Sequence, residues 1–180
     1  MKKIYIITTY TGTALSYIIK KTTKESYAHV SIALDKELKQ MYSFGRKKTY
    51  HPFLAGLVKE DINSGLYKIK PKTTCRIYSI EIDDDTYELV KQNIELYWSK
   101  KDELKYDAIG LIYMKLHRSR KRKNGYVCST FVADILNKSN INLFDKPFYE
   151  ITPKEFLECK DLTLEYEGLL RESNVRYCYS

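Results

Sequence analysis

The chain has 180 residues, 43% hydrophobic and 30% charged, with 17 Tyr, 6 Phe and 1 Trp. That balance excludes a membrane-spanning bundle, a disordered polymer and a collagen-like fibre, and its length fits one domain, read here as 1–180, with a core of its own. The 31 Lys and Arg against 23 acids give a formal charge of +8, which favours anionic partners such as nucleic acid, lipid headgroups or cell-wall polymers. Five of those basic residues sit in RSRKRK at 118–123, so much of the excess is one local feature, and a solvated loop is the plain reading of it.

Met1-Lys2-Lys3 and the apolar run after it resemble a signal peptide, but Thr8, Thr9, Thr11 and Thr13 interrupt the run and no small-residue cleavage site precedes Lys20-Lys21. The expectation is a cytoplasmic chain with no targeting segment. Residues 3–9 read as a β-branched strand that passes through Gly12 into a helix with Leu15, Ile18 and Ile19 on one face. In AHVSIALD, Val30, Ile32 and Leu34 alternate with His29, Ser31 and Ala33, a strand with one apolar face. KQMYSFG follows as its antiparallel hairpin partner. Residues 45–65, with Pro52 and internal glycines, read as a long functional loop. LYKIK (66–70) and CRIYSIEI (75–82) alternate as two more strands.

Asp85 with Glu88 forms a capping-box pattern opening a helix to about Lys100. Residues 106–116 read as a shorter apolar helix running into the basic segment. GYVCSTFVADILNKS then places Phe131, Val132, Ile135 and Leu136 at helical spacing. Thr152-Pro153-Lys154-Glu155 is a second capping box with proline at the first helical position, and a strand closes the chain around 162–170. The predicted class is α+β with an antiparallel sheet.

Cys75, Cys128, Cys159 and Cys178 contain no CxxC pair and form no metal-ligand spacing with His29, His51 or His117. Reduced thiols are expected, with no metal and no cofactor. Cys128 stands out because it opens an amphipathic helix, where backbone N–H groups and the helix dipole favour thiolate, the nucleophilic form. The same amides, including those of Cys128 and Ser129, suit an oxyanion. A buried, inert thiol is the competing reading.

A cysteine nucleophile needs a base, typically an imidazole held by a third polar group. His29 opens a strand and has the small face-mates Ser31 and Ala33, whereas His51 precedes a proline in a loop and His117 borders the basic run. His29 is the better base. An even hairpin register puts Ser43 on the same sheet face, within reach of the imidazole. Glu60, in the loop that follows, reaches the same place with a full negative charge. Both Ser43 and Glu60 stand as candidate orienters.

A histidine opening a strand (SYAHVSIALD), a hairpin partner (MYSFGRK) and a later cysteine opening a helix (YVCSTFVADIL) resemble the circularly permuted branch of the NlpC-type papain-like superfamily, which includes YiiX-like proteins and lecithin–retinol acyltransferase relatives. The order matches the permuted branch, since His29 precedes Cys128, and the resemblance spans roughly 3–155. It implies a papain-like (permuted) fold, a small antiparallel sheet packed against the cysteine helix. It also implies thiol chemistry on an acyl group: amide hydrolysis, ester hydrolysis or acyl transfer. Carried over, Cys128 is nucleophile, His29 base, and the orienter position matches Ser43, where many relatives place His, Asn or an acid; Tyr10 lies at the end of the first strand near such a site. The partner expected is a peptide, amide or lipid-ester substrate.

The rival expectation is a non-catalytic binding module that takes an anionic polymer such as nucleic acid, or rests on an anionic surface, through the basic loop 118–123. No zinc finger, helix-turn-helix or RNP pattern accompanies that charge, so nucleic acid is the disfavoured partner.

Overall fold

Lys2–Tyr10 (β1) carries IYII between polar flanks, and six of its nine residues are buried. An apolar strand buried on both sides must be covered on both faces, and β1 lies inside a six-stranded sheet. The computed structural model of the protein describes residues 1–13, 27–49, 51, 54–107 and 123–173. Its further strands are β2 (His29–Ala33), β3 (Met41–Arg46), β4 (Ala55–Glu60), β5 (Thr74–Ile82), β6 (Lys105–Tyr106), β7 (Gly125–Tyr126) and β8 (Thr163–Leu169). The large sheet runs β4-β3-β2-β1-β5-β8, and β6 and β7 form a small separate pair. Every neighbouring pair in the large sheet is antiparallel.

Strand alternation divides the apolar residues between two cores. Ile4, Ile6, Val30, Ile32, Phe44, Leu57 and Tyr78 face the helices. Tyr5, Ile7, Ala33, Met41 and Ile77 face the other way, toward Tyr67, Tyr166 and Leu170. The α-helices of the described residues are α1 (Gly65–Ile69), α2 (Asp84–Ser99), α3 (Cys128–Lys138) and α4 (Pro153–Glu158). On α2, Val90, Ile94 and Tyr97 share one buried face. On α3, every residue from Ser129 to Leu136 is buried, because β2 and β3 lie below it, α2 beside it and the Phe148–Glu150 turn against it. Phe44 and Phe131, 5.4 Å apart between ring centroids, join sheet to helix.

The predicted hairpin of β2 and β3, the long strand β5, helices α2 and α3, the Thr152–Glu155 cap of α4 and the last strand are all present. Three expectations need correction. The segment 45–65 is not all loop, since Ala55–Glu60 pairs with β3 along its length. Residues 66–70 are helical, not a strand; a stretch this short can mimic period two with Leu66, Lys68 and Lys70 against Tyr67 and Ile69. The α2 cap is Asp83, whose carboxylate accepts from the Thr86 N–H at 2.7 Å, two residues before the expected Asp85. Tyr106 is in a strand, and the rest of the expected 106–116 helix, apart from Asp107, lies outside the described residues. So do the expected helix bearing Leu15, Ile18 and Ile19, the basic residues 118–122, His117 and Cys178. No described helix is long and apolar enough to cross a membrane.

One buried carboxylate fixes α3 in place. Asp134, 3% exposed, accepts hydrogen bonds from the Tyr97 hydroxyl, from the Tyr126 hydroxyl at 2.8 Å and from Lys138 Nζ at 3.1 Å. The three donors come from α2, β7 and α3 itself. Asp134→Ala removes the acceptor shared by the two phenols, which among the described residues keep only each other as acceptors, at 2.9 Å, and the loss of such a buried acceptor costs on the order of 1–3 kcal/mol. A urea unfolding series is the check: the variant's midpoint is expected to fall with the slope unchanged.

Candidate active site

Strand parity places His29, Ser31, Ser43 and Glu60 on one face of the sheet. The ladder pairs Ile32 with Tyr42 and Ala33 with Met41, so odd-numbered residues of β2 and β3 share a face. Met41 pairs with Glu60 across β4, and Ser43 with Val58, which puts Glu60 on that face too. The carboxylate of Glu60 collects three donors or partners there. His29 Nε2 lies 2.9 Å from Oε1. Ser31 Oγ donates to Oε2 at 2.5 Å, and the Tyr67 hydroxyl donates to Oε2 at 3.2 Å. The His29 and Glu60 side chains are 22% and 12% exposed, so water competes little for the pair.

Room for this carboxylate comes from Gly45. A Cβ at that position would meet Ser43 Oγ at 3.2 Å and Glu60 Oε1 at 3.3 Å, tighter than side chains pinned by hydrogen bonds accept. Ser43 is buried beside the carboxylate without a hydrogen bond of regular geometry, and its hydroxyl acts on Glu60 after His29 and Ser31. Of the two candidate orienters, Glu60 is the one bonded to the imidazole.

The β2–β3 ladder has only its Ile32 and Ala33 rungs, whereas β1 pairs with β2 from Ala33 to His29. The two strands therefore part at the His29 end. Leu34 N–H donates to Gln40 O across the hairpin, so by strand alternation the Val30 N–H points to the same edge, into the opening. There it acts on the sulfur of Cys128. Cys128 arrives as the first residue of α3, whose N-cap is Val127. Valine has no side-chain acceptor, so the first-turn amides lack a side-chain cap, and the Ser129 N–H also acts on the sulfur. The Ser129 hydroxyl is spent elsewhere, donating to Ile151 O at 2.6 Å.

The Cys128 thiol and the His29 imidazole interact directly; with Nε2 on Glu60, Nδ1 is the ring nitrogen left for sulfur. Burial opposes charge on all three groups, and mutual attraction overcomes it. Burial disfavours the imidazolium, but Glu60 and then Cys128 hold His29 well above the ordinary imidazole value. Burial pushes the Glu60 carboxyl up, but the imidazolium and the hydrogen bonds from His29 and Ser31 hold it below the usual carboxylate value. Burial pushes the Cys128 thiol up, but His29 and the Val30 and Ser129 amides bring it below the ordinary thiol value. All three directions favour the charged forms, a row of thiolate, imidazolium and carboxylate.

The other described cysteines are free but unlike it. Burial pushes Cys75 up to about 12 and also raises Cys159. His51 is exposed on the connection from β3 to β4, where its N–H donates to Lys48 O. Beside Cys128 stands Tyr106, whose hydroxyl is kept neutral by burial and by the nearby sulfur, with Arg46 acting in the opposite sense.

Sequence reasoning missed Ser31, Tyr67 and the Val30 amide. Ser31 carried a usable signal, since a residue two positions from His29 on a strand shares its face. Tyr67 carried none while 66–70 was read as a strand.

Comparison of the chain with protein-family models finds no match, and no curated protein matches it.

Proposed function

We propose that the protein is a cysteine-dependent hydrolase or acyltransferase acting on an amide or ester carbonyl, with a permuted papain-like plan. The observation that carries this reading is the single imidazole shared by a lowered thiol and a buried carboxylate. Generic surface groups do not arrange themselves so; nucleophile, base and orienter in hydrogen-bonding sequence are the signature of covalent catalysis.

The Cys128 thiolate attacks the carbonyl carbon; the S–C bond forms as the C=O π pair moves onto oxygen. Amides at the start of α3 hold that oxyanion. The His29 imidazolium passes its proton to the leaving nitrogen or oxygen, the C–N or C–O bond breaks, and a thioester remains. His29, now neutral, takes a proton from water or another acceptor, which attacks the thioester and releases the thiolate. Throughout, Glu60 holds the ring orientation and stabilises the imidazolium. Peptides, isopeptides and lipid esters all offer the required carbonyl.

The test is acylation by p-nitrophenyl acetate. The expected result is a burst of one nitrophenol per protein, with the acetyl group located by peptide mass spectrometry on Cys128. Absence of a burst, or acetyl groups spread over lysines, Cys75 and Cys159, overturns the reading.

A further inference from the structure

We propose that Arg46 is the receptor for a carboxylate on the substrate, placed to fix that group beside the carbonyl Cys128 attacks. The proposal rests on the thiol–imidazole reading above. Arg46 is the last residue of β3. Continuing the β2–β3 count from Ala33↔Met41 brings Gly45 opposite His29, so Arg46 lies at the catalytic end of the sheet. Its even number puts it on the face of Tyr42 and Phe44, the face on which α3 packs, at the end where Cys128 begins that helix.

Tyr106 links the two. It lies in β6 opposite Tyr126 of β7, two residues before Cys128, and its hydroxyl senses both the sulfur and the Arg46 charge. Arg46 is half-buried, and its one hydrogen bond among the described residues is from Nη2 to Thr13 Oγ1, at 3.3 Å. No carboxylate of the described residues pairs with it. Arg76, by contrast, pairs with Glu167 at 3.0 Å.

A half-buried guanidinium with no carboxylate partner among the described residues is open to an anionic ligand. Its fork of N–H groups, mostly unspent among the described residues, matches a carboxylate in two-point fashion. The row of thiolate, imidazolium and carboxylate already carries one net negative charge, so a single cation suits a monoanion rather than a phosphate dianion. The substrate class is thus an amide or ester bearing a carboxylate close to the scissile carbonyl, as at the C-terminal residue of a peptide.

Two thiol reagents of nearly equal shape read this directly. Iodoacetate carries a carboxylate and iodoacetamide does not; in each, sulfur forms the S–C bond as the C–I bond breaks and iodide leaves with the pair. Wild-type protein is expected to prefer iodoacetate at Cys128, and Arg46→Gln to lower the iodoacetate-to-iodoacetamide rate ratio on the order of tenfold, the scale of one charge-assisted contact. Arg46→Lys keeps the charge but not the fork and is expected to fall between. Should Arg46→Gln fold poorly, acetate added to wild type at constant ionic strength supplies the second readout, slowing iodoacetate more than iodoacetamide. An unchanged ratio in Arg46→Gln, or equal slowing of both reagents by acetate, overturns the Arg46 proposal while fast iodoacetamide labelling leaves the catalytic reading standing. Iodoacetamide labelling of Cys128 no faster than of an ordinary cysteine overturns both.

Discussion

Glu60→Gln is expected to lower the acylation rate of Cys128 at neutral pH by on the order of 10²–10⁴-fold, the range that separates a correctly held general base from a misplaced one. The substitution keeps shape and removes charge. The carboxylate accepts from Ser31 and Tyr67 and is paired with His29. An amide offers one acceptor oxygen and a donor group, so the imidazole loses its counter-charge and one of the hydroxyls must turn. With the imidazolium no longer supported, the thiolate it supports is lost too. Ser31→Ala and Tyr67→Phe leave the carboxylate in place and are expected to cost far less. Steady-state acylation across the four proteins checks the order.

His29→Ala is expected to return Cys128 to ordinary thiol behaviour. At pH 6 a thiol of the usual value near 8.5 is roughly 0.3% ionised, against a wild-type thiol whose value is lowered. The greater nucleophilicity of the more basic sulfur recovers part of that loss, so iodoacetamide labelling at pH 6 is expected to fall by about tenfold or more. The wild-type profile follows from the signs. A lowered Cys128 keeps its thiolate as pH falls past the ordinary thiol value, and a raised His29 keeps its proton as pH rises past the ordinary imidazole value. Acyl turnover, which needs both, is therefore bell-shaped, while alkylation, which needs only thiolate, has no alkaline limb.

Stability follows the same linkage. The His29 contribution is full below about 6.5 and lost as pH rises through its raised value, and the Glu60 contribution is full above about 4.3 and lost as pH falls through its lowered value. Between those limits both are present.

The sheet and the cysteine helix were legible because their apolar residues repeat at two clear periods. Val30, Ile32 and Leu34 alternate; Phe131, Val132, Ile135 and Leu136 do not. The hairpin also followed from alternation; an even register was the condition for Ser43 to share the face of His29, and the ladder has that register. What alternation did not fix was which polar group touches the ring. Ser43 is on the right face yet not bonded to the ring, whereas Glu60 reaches it from a strand that the sequence hides. Gly56, Lys59 and the nearby Pro52 make β4 look like loop, and only pairing with β3 makes it a strand. In 66–70 the failure ran the other way. Five residues are too few to show a helical period, and the Tyr67 contact to Glu60 depends on α1 being a helix that follows β4 closely. The parting of β2 from β3, which admits Cys128 to the Val30 amide, is a tertiary feature that residue patterns do not record.

The most direct measurement is the ultraviolet titration of the Cys128 thiolate, taken as the difference in absorbance between wild type and Cys128→Ala across pH. The account predicts a thiolate with a midpoint below the ordinary thiol value near 8.5, and a midpoint restored to that value in His29→Ala. A wild-type midpoint at or above 8.5, unmoved by loss of His29, would contradict the coupling of sulfur to imidazole on which the proposed chemistry stands.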